Sequence, residues 1–210
     1  MDAEQAILSR RSCRKFSNKE VPKELIDKLI LAGRSAPTGL NRQKMKFYVI
    51  LNDIKRIKSI SEKVYANLTK DGKKRDWIDN FRKQYDIEDI IFYDAPCIIA
   101  ITTDKEERER ERNIRHMEGG CAVGNILIMA TALGLGTVPI GVANLENQGF
   151  VLDELGADKE KETLLLVVSV GYPVDGYEKY LPEKHLTSFV KYAKELLLTF
   201  DIIYYLIFYY

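Results

Sequence analysis

The chain has little of what most metal and phosphate sites are built from. Its three cysteines (Cys13, Cys97, Cys121) and two histidines (His116, His185) are scattered over 210 residues. With no CxxC pair and no Cys/His cluster, the sequence argues against zinc or iron–sulfur ligation, and no metal site is expected. The odd cysteine count, with no secretory segment, points to reduced thiols and a cytoplasmic location. Neither GxGxxG nor GxxxxGK[ST] occurs, so a phosphate would have to be held without a glycine-rich loop. Charge of one sign is missing as well: 32 Lys+Arg against 31 Asp+Glu leave +1, which gives no global field for nucleic acid. No membrane span is expected either. "ELLLTFDIIYYLIFYY" is strongly apolar, but Asp201 interrupts it and the run is shorter than the about 20 residues a bilayer requires. Such a tail is expected to pack on the body or on a second subunit, with a peripheral membrane contact as the alternative.

What is present reads as a soluble globular protein, with 46% hydrophobic and 30% charged residues. The length predicts one domain over 1–210, with 197–210 as an apolar aromatic tail. Helical patterns run through "DAEQAILSRR", "VPKELIDKLILAGRSAP", "DIKRIKSISEKVYANL" and "TSFVKYAKELLLTF". Buried strands are expected at Met45–Leu51, Cys97–Thr102 and "TLLLVVSVGYP", with a short edge strand at "TVPIG". Thr69–Asp89 reads as short helices and connections, and "DKEERERERNIRHMEGG" as a solvated charged surface. Cys121–Leu135 is apolar nearly all round, which places it at a domain centre or between subunits. Helices interspersed with buried strands predict an α+β fold: a central mixed sheet flanked by helices in an α/β sandwich.

Three stretches could carry chemistry. "RRSCRKF" gathers Arg10, Arg11, Arg14 and Lys15 around Ser12. Guanidinium forks and a hydroxyl suit a small anion such as phosphate, although a solvated charged surface would look the same. "SAPTGLNRQ" combines Pro37, Thr38 and Gly39 with the amides of Asn41 and Gln43, which can meet the edge of a heterocycle; an ordinary turn is the competing reading. "GLGTVPIG" has glycines that let backbone approach a flat ligand, or that simply cap a helix before a strand, a role Gly136 also fits.

Taken in order, "RRSCRKF", "SAPTGLNRQ", "YDAPCIIAI", "ALGLGTVPIG" and "LLLVVSVGYP" resemble the nitroreductase-like flavoprotein family from about Ile7 to Lys184. The resemblance implies a homodimer with FMN at the subunit interface. It implies that Arg10, Arg11, Ser12 and Arg14 hold the phosphate and ribityl chain. Pro37, Thr38 and Gly39 would approach the ring from the partner, with Asn41 and Gln43 at polar positions. Pro139, Ile140 and Gly141 would lie along the ring, and Lys184 would reach the phosphate from the C-terminal side. The activity implied is FMN-dependent NAD(P)H oxidoreduction: a reduced nicotinamide, NADH or NADPH, passes hydride to flavin N5. A nitroaromatic, quinone or similar acceptor then takes its place in ping-pong fashion, and no side chain serves as a catalytic residue. Two departures stand out, Glu183 beside Lys184 and Gly141 where some relatives carry an acid. Alternatives are specialised flavin chemistry (reductive dehalogenation or flavin breakdown) and a non-enzymatic flavin-binding protein.

Overall fold

In the computed structural model, which describes residues 1–70, 72, 75–144 and 147–177, the apolar runs become the centre of a sheet. The elements in chain order are α1 (Ala3–Ser9), α2 (Lys23–Arg34), β1 (Lys46–Leu51), α3 (Ile54–Thr69), α4 (Arg75–Tyr85), β2 (Cys97–Asp104), α5 (Glu109–Ala132), β3 (Gly136–Ile140), α6 (Gln148–Leu155) and β4 (Glu162–Gly171). The strands pair in the order β1-β2-β4-β3. The two richest in β-branched residues, β2 and β4, are therefore interior, where a strand must be apolar on both faces. All three strand pairings are antiparallel. The parallel component of the described residues is an isolated bridge between Ser12 and Thr137.

Successive side chains on a strand point to opposite faces, and the core divides accordingly. Ile98 and Ala100 of β2 join Ile57, Ile60, Val64, Leu152 and Phe92 on the face covered by α3 and α6. Cys97, Ile99 and Ile101 join Ile26, Leu29, Ala122, Ile126 and Val168 on the face covered by α2 and α5. The result is an α/β sandwich with helices on both faces of the sheet, as expected of an α+β chain.

Helix α5 begins earlier than the apolar pattern suggests. Its first turns belong to the charged run read as solvated surface, yet Arg115 and Glu118 there are buried. It ends where Gly134 takes a left-handed φ of 75°, a conformation glycine adopts without steric penalty. Among its described residues Thr69–Asp89 holds one helix beyond the end of α3, namely α4, and α6 is an additional short one. Among the described residues no helix is long and apolar enough to cross a membrane.

Candidate functional site

The basic segment leaves α1 extended and lies along the outer edge of β3. Cys13 N–H donates to Thr137 C=O at 2.9 Å, and Ser17 N–H donates to Tyr172 C=O at 2.8 Å. Gly136 makes this approach possible, because a Cβ there would stand 2.7 Å from Cys13 Cβ. Extended backbone alternates its side chains. Cys13 therefore turns inward and is buried, while Arg10, Ser12 and Arg14 share the other side and are half-buried. Burial pushes the Cys13 thiol up to about 11 and that of Cys97 up to about 12, so neither is a ready nucleophile.

The four predicted anion contacts are not alike. Arg11 is turned back, donating to the carbonyls of Leu8 at 2.8 Å and Arg10 at 3.0 Å, where it caps the C-terminus of α1. The Arg14 guanidinium lies near the hydroxyl of Tyr93, whose pKa is raised by burial and pulled the other way by that charge. Among the described residues, neither the Arg10 guanidinium nor the Ser12 hydroxyl has a hydrogen-bond or ion-pair partner.

Pairing Ser12 with Thr137 places this segment two residues from Pro139. On an edge strand proline is tolerated, and the pairing with β4 runs through Pro139 to Ile140. Beyond it, Pro139, Ile140 and Gly141 line a cavity of about 90 Å³ together with Leu68, Ile78, Ile91 and Tyr93. Its walls are aliphatic apart from Tyr93 and the backbone, and none of its lining side chains is ionised.

The loop Pro37–Gln43 lies elsewhere. Leu40, Asn41 and Gln43 hold left-handed φ values of 54°, 53° and 49°. Strain of this kind costs about 1–3 kcal/mol per residue and persists only where neighbours enforce it. Enforcement comes from α5: Gly39 N–H donates to Glu118 Oε1 at 2.7 Å, and Glu118 pairs with Arg115, which also reaches Glu106 at 3.3 Å. Within the loop, Gln43 N–H donates to Thr38 Oγ1 at 3.2 Å, and the Gln43 amide donates to Asn41 Oδ1 at 2.8 Å. Thr38 and Gln43 line a separate cavity of about 360 Å³ with Ile30, Arg34, Met45 and Phe47, and neither the basic segment nor Pro139–Gly141 contributes to it. One chain thus joins the first and third predicted stretches but not the second.

Lys184, the helix read in "TSFVKYAKELLLTF" and the apolar tail lie outside the described residues. Tyr93, Glu118 and Tyr177 escaped the sequence reading. A buried hydroxyl or carboxylate is recognised by its partners, and these partners are remote in the chain.

A two-layered helical cover on an antiparallel sheet, with a basic segment paired to the edge strand that leads into Pro139–Gly141, defines an α+β protein with cationic side chains at the sheet margin. The chain belongs to the nitroreductase family, whose family model matches residues 7–172. It is similar to a Methanothermobacter thermautotrophicus protein provisionally named NADH dehydrogenase/NAD(P)H nitroreductase, with 29% identity over 83% of this chain and 79% of that one. The iodotyrosine deiodinase of Thermotoga neapolitana is 23% identical, over 81% of this chain and 88% of its own. Among solved structures, a provisionally described nitroreductase from Desulfovibrio desulfuricans, in complex with FMN, superposes with a TM-score of 0.62. It shares 26% identity, covering 94% of this chain and 96% of that one.

Proposed function

We propose that the chain is an FMN-dependent NAD(P)H oxidoreductase that works as a homodimer and reduces uncharged planar acceptors, nitroaromatics or quinones among them. The observation that carries the reading is the Ser12–Thr137 pairing, which joins an arginine segment to the Pro139–Gly141 turn. The residues fit the cofactor. Among the described residues the Arg10 guanidinium and the Ser12 hydroxyl have no partner, and both groups suit a phosphate. Gly141, exposed and without a side chain, lets backbone come close to a ring.

Bound FMN would supply two-electron hydride chemistry between a nicotinamide and an acceptor. The chain would supply position and environment. Arg10, Ser12 and Arg14 would hold the phosphate and ribityl chain, with Arg11 fixing the end of α1 beneath them. Lys184 would add a further cation. Pro139, Ile140 and Gly141 would line one side of the ring, and the aliphatic wall of Leu68, Ile78 and Ile91 would exclude water. That wall favours acceptors without charge, because a zwitterionic amino acid such as iodotyrosine would lose hydration there with no ionic partner from these side chains.

A second copy would bring Pro37–Gln43 to the flavin. On α5, Met117 and Cys121 are exposed and Gly124 and Ile128 half-buried, a spacing that puts one apolar face on a helix otherwise at the centre of the fold. Leu40, at the tip of the loop, is 87% exposed. Apolar groups left open in this pattern suit a symmetric interface.

The test is the visible spectrum of the purified protein before and after anaerobic NADH or NADPH, with sedimentation of the same sample. A flavin spectrum that bleaches and is restored by a quinone, in a dimer, supports the reading. Absence of flavin, with none taken up from added FMN, overturns it, and faster turnover of iodotyrosine than of quinones overturns the acceptor class.

A further inference from the structure

Tyr177 stands six residues past the end of β4 and is 6% exposed. Its hydroxyl lies across Cys13 from the outside. It accepts from Arg14 N–H at 2.6 Å and donates to Ser12 C=O at 2.9 Å. A hydroxyl has one donor and two acceptor positions, and here a single side chain serves backbone groups on both sides of one residue. The inner edge of the same segment is held by Cys13 N–H on Thr137. The backbone between Ser12 and Arg14 is therefore fixed from both edges, as an interior strand would be, although among the described residues no strand lies on its outer side.

We propose that Tyr177 is a positioning residue for the anion socket. Its hydroxyl locks the Ser12–Arg14 backbone in the extended form, and the period of two then turns Arg10, Ser12 and Arg14 to one side. Without it, Ser12 C=O and Arg14 N–H are free to turn toward water, and the socket must be reassembled whenever a ligand binds. Prepaid order of this kind is a direct contribution to affinity. The effect falls chiefly on the charged group the socket holds, the phosphate, less on the ribityl chain, and spares the ring, which Pro139–Gly141 approach. The inference rests on the phosphate-socket reading above.

FMN and riboflavin share ring and ribityl chain and differ only in the phosphate, so the two separate positioning from general stability. The measurement is fluorescence titration of the flavin-free full-length protein with each ligand, for wild type and Tyr177→Phe, alongside thermal melting. Wild type is expected to prefer FMN strongly. Y177F is expected to weaken FMN about tenfold, the scale of one lost hydrogen bond near a charged group, and riboflavin, which keeps only the ribityl contacts, by clearly less. Equal weakening of both ligands, or of neither, overturns the role of Tyr177. A wild type that binds riboflavin as tightly as FMN overturns the phosphate socket itself, and the inference with it. Amide exchange of wild type without flavin gives a second reading that needs no variant to fold. Slow exchange at Arg14 is expected, and exchange as fast as in an unstructured segment overturns the proposal.

Discussion

Replacing Gly136 by alanine tests whether the basic segment is truly held against the sheet. The new methyl would stand 2.7 Å from Cys13 Cβ, 2.8 Å from Cys13 Sγ and 3.0 Å from Pro173 Cγ. Carbon atoms pack at about 3.5–4.0 Å, so the segment must retreat from β3 by roughly 1 Å. That retreat lengthens the 2.9 Å bond from Cys13 N–H to Thr137 C=O and moves Arg10, Ser12 and Arg14 away from Pro139. Overpacking on this scale costs about 1–3 kcal/mol. For a chain of this size the melting temperature should fall by about 2–12 °C. FMN affinity should drop by about tenfold or more, because the displaced groups are those proposed to hold it. Melting curves and FMN titration read the two effects. Adding Cys13→Gly removes both Cys13 atoms that the methyl meets, so C13G/G136A should recover part of the lost affinity, a coupling that a double-mutant cycle measures. If G136A melts and binds FMN as wild type does, the segment is not seated on Gly136 and the site as described is wrong.

Three further outcomes follow from named contacts. Glu118→Ala leaves Arg115 buried without its partner on α5, which should cost about 3–5 kcal/mol in urea unfolding; E118Q, which keeps an acceptor for Gly39 N–H, should recover part of that loss, and an unchanged E118A midpoint would count against the pair. With a thiol reagent at pH 8 in the native protein, Cys13 and Cys97 should stay unlabelled until the chain is denatured, since burial pushes their thiols up to about 11 and about 12; rapid native labelling of either refutes the packing. For Glu162, burial favours protonation, but donors from Thr102, Lys46 and Tyr48 outweigh it and hold its pKa below the usual carboxylate range. Because the folded value is depressed, its stabilisation is complete above the unfolded value of about 4.3 and is lost as pH falls through the folded one. Glu162→Gln should therefore lower stability at pH 7 and differ less from wild type near pH 3, and a constant difference across that range would refute the assignment.

The interior strands were readable because β2 and β4 are apolar on both faces; Met45–Leu51, expected buried as well, forms the edge strand β1, where Ile50 alone is buried. Helix α3 showed its 3.6-residue stripe openly through Ile57, Ile60 and Val64. The polar stretch before β2, read as short helices and connections, holds α4. Arg115 and Glu118 sit inside an alternating run of charges, and nothing local distinguishes a buried pair from its solvated neighbours. Their burial depends on Gly39 and Glu106, which other parts of the chain deliver. The same limit applies to the site. The arginine segment and the Pro139 turn were visible as separate stretches, and their pairing through Ser12 and Thr137 is a property of the folded sheet edge. Arg11, read as equivalent to Arg10, turned out to cap α1, a difference set by which way each side chain leaves the end of a helix.

The clamp across Cys13 also sets when in the protein's life the socket can exist. The hydroxyl of Tyr177 meets the carbonyl of Ser12 from 165 residues away. Ribosomes add about 5–20 residues per second, so the arginines precede their clamp by roughly 10–30 s. On the proposed role of Tyr177, a nascent chain that stops short of residue 177 carries the cations without the ordered socket. Loading of the cofactor is in this sense a step that follows the synthesis of residue 177 rather than that of the arginines.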